Sequence, residues 1–380
     1  KSPLHCFTTM GIISSKQQPQ APLLAPSMEG DLDEVKRVVG VHIAEDHGGN
    51  ETSSLPAFVD AVDASGNAAV HGAVFSGHLD VLSFLSDPGG ANLSIKNGLG
   101  CSPLWIAAGY DRMKCLEYLI EKFGSSGENG LLSLESALLD ANSTGDTPFL
   151  AAASRGNVGA CRCLWNAAGK FEESTCWNTR RRMLRSTNDG GDTALNAAVA
   201  SGQEEELLTL LLEADDEIDG WYRSKERTMT NDVGGEEDTA LQSKCVDKIN
   251  GKGLSPLIVA CERNLASIAA LLLKHRADLR TRDSEDRNAL AVAAFCGCND
   301  MVEFLLAHEE AKSLLLNAGD SGGRTPLWLA ARTGNLSVVK LLIDAGADAT
   351  LGDEEGLSPR DVAVKFKKDR VEEYFSQCVP

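Results

Sequence analysis

The feature that most constrains this chain is a turn that keeps returning. A glycine, or a residue able to stand in for one, precedes a Thr/Ser-Pro-Leu-like triplet at Gly66, Gly100, Gly145, Gly191, Gly253, Asp286, Gly323 and Gly356. The successive spacings are 34, 45, 46, 62, 33, 37 and 33 residues. Residues 320–351 hold the unit in full. A turn at Asp320-Ser321-Gly322-Gly323 leads to Thr325-Pro326 and an apolar run ending at Ala331; Gly334-Asn335, a second apolar run from Val338 to Ile343, and Gly346 follow. This reads as two short helices joined by a turn. Thr325 can accept a hydrogen bond from an amide in the first turn, and Pro326 suits the first helical position. Gly334 and Gly346 can take the positive φ that stops a helix. Helices of about nine residues do not persist alone in water, so such units must stack on one another.

A base period near 33 residues, with TPLxxAA and a following Gly, resembles the ankyrin repeat, and the resemblance covers roughly residues 30–375. It implies an all-α fold with short β-hairpin turns: an α-solenoid of about eight repeats plus a degenerate N-terminal cap. Stacked repeats share one continuous core, which overrides the two or three domains that 380 residues would otherwise suggest. It also implies a recognition scaffold, binding a partner protein through a concave groove lined by turn tips and first-helix ends.

Residues 1–27 carry no Asp or Glu and hold Pro19, Pro22 and Pro26, so they read as a disordered arm. Residues 28–62 read as a degenerate cap and linker, in which residues 28–39 match only the second helix of a repeat. Residues 63–250 form repeats with long insertions at 122–141, 167–187 and 214–248; residues 251–380 are regular repeats closed by a polar last helix. In the first full repeat Ala68-Ala69 replace Thr-Pro, so a weaker cap is expected there. Asp111 stands where the inter-helix Gly belongs, and Asp tolerates that left-handed conformation. Leu131–Leu139 and Arg180–Arg185 can extend helices inside their insertions. The polar 214–248 stretch is expected to be dispensable for folding.

The formal net charge of −19 disfavours nucleic acid and anionic membranes as partners of the chain as a whole. Of its eleven cysteines, Cys115, Cys161 and Cys163 occupy Val/Leu positions and Cys261 an Ala position. They read as small buried hydrophobes in a reducing compartment, hence a cytoplasmic location. The C-x-C pairs at 161/163 and 296/298 lack the spacing and histidines of a zinc site. No phosphate loop, H-E-x-x-H or G-x-S-x-G motif occurs. A non-enzymatic monomer with no cofactor, metal or small-molecule substrate is expected. One leader motif stands apart: Met10-Gly11-Ile12-Ile13-Ser14-Ser15 fits the N-myristoylation pattern if Met10 is the initiator. The alternative it raises is a weakly membrane-tethered scaffold. A third reading is the regulatory portion of a larger enzyme or channel.

Carried over position by position, the groove of the resembled family falls on Phe75, Leu99, Tyr110 and Arg155, and then on Lys252, Arg263, Arg287, Arg324, Arg332 and Lys365. Phe295 lies among the latter. Glu262, Glu285, Glu354 and Glu355 accompany them, so this stretch is richer in cations than a chain with 36 Lys+Arg against 55 Asp+Glu. Arginine suits paired, bidentate recognition of carboxylates, which points to an acidic segment of a protein partner.

Overall fold

A computed structural model describes residues 21–46, 55–87, 89–125, 130–226 and 244–378. Met10, Gly11 and the middle of the 214–248 insertion lie outside them. Among the described residues there are 22 helices and no strand. The chain divides into two compact units, Lys1–Met183 and Leu184–Pro380. The boundary falls inside the 167–187 insertion, away from the change in repeat regularity near residue 250.

In the first unit the helices are α1 (Leu24–Glu29), α2 (Leu32–Asp46), α3 (Leu55–Val59), α4 (Ala69–Ser76), α5 (Leu79–Ser86), α6 (Pro103–Gly109), α7 (Met113–Ser125), α8 (Gly130–Leu139), α9 (Pro148–Ser154), α10 (Val158–Ala168) and α11 (Glu173–Arg185), whose last two residues belong to the second unit. The first helices of successive pairs, α1, α4, α6 and α9, pack in one row, and α2, α5, α7 and α10 in another. The second unit repeats this plan with α12 (Ala194–Ser201), α13 (Glu205–Glu226), α14 (Pro256–Glu262), α15 (Ala266–Lys274), α16 (Ala289–Cys296), α17 (Asn299–Ala307), α18 (Glu309–Leu315), α19 (Pro326–Thr333), α20 (Leu336–Asp344), α21 (Pro359–Lys365) and α22 (Asp369–Cys378). Here α12, α14, α16, α19 and α21 form the first row, and α13, α15, α17, α20 and α22 the second. The first helices between the two end pairs are mostly buried, as in α19, where Pro326 to Ala331 are all inside, whereas α1 and α21 are partly exposed.

The repeated turn has one chemical basis. A side-chain oxygen of its leading Asp or Asn accepts backbone N–H groups ahead of it: Asp63, Asn97, Asn142, Asn250, Asp283, Asp320 and Asp353 each accept from residues i+2 and i+4, and Asn188 accepts from Asp192. This is the local bonding for which Asp and Asn are favoured in turns. Neighbouring hairpins are tied by single backbone bonds, such as Gly98 N–H to Ser65 C=O at 2.8 Å, with no ladder between them. Gly66 has φ 77, and a Cβ there would lie 2.5 Å from the Gly98 nitrogen. Only glycine allows that approach. Asp111 does take the left-handed conformation, at φ 55.

Ser102, Thr147, Thr193, Ser255, Asn288, Thr325 and Ser358 cap their helices by accepting from the amide three residues on. In four of the repeats the position three after the cap carries a second tie, to a carbonyl of the next loop. His71 Nε2 meets Ile95 O, Trp105 Nε1 donates to Asp146 O, Asn196 Nδ2 to Lys248 O and Trp328 Nε1 to Leu357 O. Ala68 cannot cap α4, but fully buried His71 compensates by accepting the Ala68 N–H on Nδ1 at 2.9 Å. Those partners fix the Nε2–H tautomer. Burial holds the His71 pKa down to about 4, despite the bonds that favour its charged form. The unfolded chain binds that proton near pH 6.5 and the folded chain only near 4, so the stabilisation is complete above pH 6.5 and lost as pH falls toward 4. The loss amounts to about 3 kcal/mol. Denaturant titrations at pH 7, 5.5 and 4 should show a shallower pH slope in His71→Gln than in the parent; parallel slopes would remove this role.

Several boundaries differ from the sequence reading. The stretch read as disordered through residue 27 already contains α1, with Ala21, Leu23, Leu24 and Ser27 buried, so the cap has both helices of a pair. Its apolar residues are few and interrupted by Pro22 and Pro26, and only their packing on α4 makes a helix of them. The 122–141 and 167–187 insertions do supply the helices expected at Leu131–Leu139 and Arg180–Arg185, and these pack: Leu134 and Leu138 of α8 are fully buried, and Thr179 of α11 donates to Glu135 at 3.0 Å. The flanks of 214–248 are not polar loop. Helix α13 runs on to Glu226, with Asp215 and Ile218 buried, and Cys245 and Val246 are buried on the return. There Arg185 binds both Asp215 and Asp219, and Asp215 also accepts the Cys245 amide at 2.8 Å. Its polar composition hid a paired, buried network.

Candidate partner-binding face

The sequence-derived residues all lie at hairpin loops or first-helix ends, but they divide into different jobs. In the first unit Phe75 and Tyr110, at the ends of α4 and α6, meet edge to face with ring centroids 4.8 Å apart. Arg155 lies 4.4 Å over the Tyr110 ring and 5.0 Å over Trp105. Its Nη1 is buried against Gly109 without a hydrogen-bond partner. Arg155 therefore packs as a lid on the aromatic pair. Leu99 is different: its backbone carbonyl accepts from Ser143, while its side chain stays 46% exposed at the loop tip.

In the second unit, Arg287 and Arg324 follow Asp283 and Asp320 by four residues and bind back to them at 2.7 and 2.8 Å. Both carboxylates are buried. Arg324 also reaches Glu285 of the preceding loop at 3.4 Å, and Arg287 lies 3.6 Å from the same carboxylate. Burial works against the Arg287 charge, yet Asp283 and Glu285 hold its proton more tightly than usual. Lys365 pairs with Glu355 at 3.4 Å. Lys252 is exposed at a loop tip and Arg263 at the end of α14; neither meets a carboxylate or an aromatic ring among the described residues.

Sequence reading passed over Trp328 and Phe366, which complete this face. Arg287 stacks over Phe295 at 5.3 Å, Arg324 and Arg332 over Trp328 at 5.9 Å each, and Arg332 over Phe366 at 5.3 Å. Ser321, Arg324, Trp328, Arg332, Glu354 and Phe366 are among the residues lining an open groove. Phe366 is 43% exposed, Val364 50% and Phe295 36%. The available signal for Phe366 was an aromatic residue seven or eight positions after a cap: Phe295 is seven after Asn288, and Phe366 eight after Ser358.

Free thiols are the other chemistry present. Burial pushes Cys115 up to about 11 and Cys161 up to about 12, and raises Cys245 and Cys261 as well. Such thiols stay protonated and act as apolar filling. No group of His, Cys, Asp and Glu among the described residues is arranged to hold a metal ion, and no described helix is long and apolar enough to cross a membrane.

Rows of short antiparallel helix pairs, tied by Asx-capped hairpins, define a repeat-built interaction module. Family comparison gives the same class: the pattern "Ankyrin repeats (3 copies)" matches residues 70–166 and 235–313, and "Ankyrin repeats (many copies)" matches residues 308–363. These segments cover more than half of the chain, which belongs to the ankyrin-repeat family. The tyrosine-protein kinase HTK16 of Hydra vulgaris is similar, 29% identical over 123 residues, 32% of this chain and 16% of that protein. Diacylglycerol kinase zeta of Rattus norvegicus is 33% identical over 120 residues, 31% of this chain and 12% of that one. The human transient receptor potential cation channel subfamily A member 1 is 27% identical over 195 residues, 48% of this chain and 17% of the channel. The chain thus spans only 12–17% of the length of these three relatives.

Proposed function

We propose that the chain is a non-enzymatic scaffold or adaptor that holds a partner protein against the loop-tip face of its second unit, in the reducing setting of the cytoplasm. The observation that carries this is the group of exposed apolar side chains, Phe295, Val364 and Phe366, beside Arg287, Arg324 and Arg332 stacked on aromatic rings. Single exposed hydrophobes are ordinary; several of them at the first-helix ends of one unit favour a partner. Aromatic residues and Arg are the types that concentrate binding energy at protein interfaces. The face stands on short, capped helices, so little ordering entropy is lost on binding. Ankyrin repeats are protein-interaction modules, which supports the same reading. Buried, protonated cysteines support the reducing setting. The test is photo-crosslinking in cells, with a photoreactive amino acid in place of Phe295 or Phe366 and, as control, in place of Glu303 on α17. Discrete protein adducts from the first two positions and none from the third are expected; equal labelling at all three sinks the proposal.

A further inference from the structure

The cations of the second unit's face are not equivalent. Arg287 is matched by Asp283, Arg324 by Asp320 and Glu285, and Lys365 by Glu355. Arg332 has no carboxylate among the described residues. Its guanidinium lies over the Trp328 and Phe366 rings, at 5.9 and 5.3 Å, and it lines the open groove. We infer that Arg332 receives one acidic side chain of the bound partner segment, and that this acidic residue stands beside an apolar one that covers Phe366. The inference rests on the scaffold reading and names the partner chemistry at that face.

The physical reasons are three. A guanidinium held half-buried against rings has lost part of its hydration, and a carboxylate replaces that with paired, charge-assisted bonds. The rings fix the guanidinium plane, so little rotamer freedom remains to be lost. Phe366, 43% exposed, offers apolar surface next to it. A uniformly acidic tract does not fit. The Glu354 carboxylate also lines the groove and meets no cation among the described residues, and the chain as a whole carries −19. The match is one carboxylate with an apolar neighbour, and a neutral or basic residue near Glu354.

Arg155 of the first unit shows what a structural use of the same stacking looks like. It too covers a tryptophan, but its Nη1 is sealed against Gly109, where a Cβ would lie 2.1 Å away. Arg332 has no such seal.

The experiment is a random peptide library displayed against the full chain, with hydrogen exchange locating each selected peptide. Peptides that protect residues 321–366 should carry Asp or Glu adjacent to Leu, Met, Phe or Trp. Arg332→Gln should weaken them about tenfold or more, the size of a lost charged bond, while Arg370→Gln, at an exposed position on α22 away from the groove, leaves them unchanged. Arg332→Glu should bind the peptide whose acidic residue is changed to Arg, a rescue that local misfolding cannot produce. Peptides that protect this face without an acidic residue, or that bind Arg332→Gln undiminished, overturn the inference and leave the scaffold reading standing. If no selected peptide protects this face, both fall.

Discussion

Replacing Arg185 with leucine should destabilise the second unit by about 3–5 kcal/mol, the usual cost of removing one partner from a buried ion pair. Arg185 and Asp215 side chains are each 4% exposed and meet at 2.7 Å. Burial pushes the Asp215 carboxyl up, and Arg185 with the Cys245 amide is what draws it back down. Asp219 shares the guanidinium and is held below its usual range, against its own burial, by Arg185 and Lys244. Without Arg185, Asp215 must protonate, hydrate or pull α13 away from the 244–248 return. Urea denaturation of the full chain measures the loss directly. Adding Asp215→Leu to Arg185→Leu should recover part of it, since two apolar side chains replace a charge pair with little net change. A single-variant loss below about 1 kcal/mol would mean that water reaches Asp215 in the folded chain.

Trp105→Ala should cost a similar amount, about 3–5 kcal/mol, and act on the first unit. Trp105 is fully buried, and its Nε1 donates to Asp146 O at 2.9 Å in the next loop. Its removal leaves a cavity between α6 and the following hairpin, takes one of two hydrogen bonds from the Asp146 carbonyl, and leaves Arg155 with Tyr110 alone beneath it. Trp105→Phe separates these effects. It keeps most of the ring volume and loses the bond, so about 1 kcal/mol is expected. Differential scanning calorimetry of the three proteins distinguishes the cases. If Trp105→Ala and Trp105→Phe shift the melting temperature equally, packing is not what this residue supplies.

Local chemistry was what the sequence made legible. Each cap needs a short polar side chain three residues before the amide it bonds, each turn needs an Asx and a glycine, and all recur at countable offsets. The left-handed Asp111 followed from the same register. What resisted reading depends on partners far along the chain. Residues 24–29 become a helix only because α4 covers them. His71 replaces a missing cap through a ring nitrogen that no Thr-Pro pattern announces. Residue types alone placed Arg287 and Arg324 on the binding face, whereas their geometry assigns them to Asp283 and Asp320. The pairing was present as D-x-x-x-R, but its meaning depends on the hairpin bringing residue i+4 back to residue i. Arg332, which the same face leaves to act on a partner, is stacked on aromatic rings with no acid beside it among the described residues.

That hairpin geometry also restricts how the chain can vary. Where the leading acceptor is Asp283 or Asp320, the residue four on is Arg; where it is Asn142 or Asn188, the residue four on is Asp146 or Asp192. Asparagine and aspartate build the same turn, so either shape would serve, yet an aspartate at 142 or 188 would face a second carboxylate across the turn. At Asn250 the neutral amide does more, donating to Asp192 of the previous hairpin at 2.9 Å. Loop letters that look interchangeable one at a time are therefore coupled in twos, within a hairpin and between hairpins. A lineage of such chains can redistribute charge along its loop face only by compensated double steps.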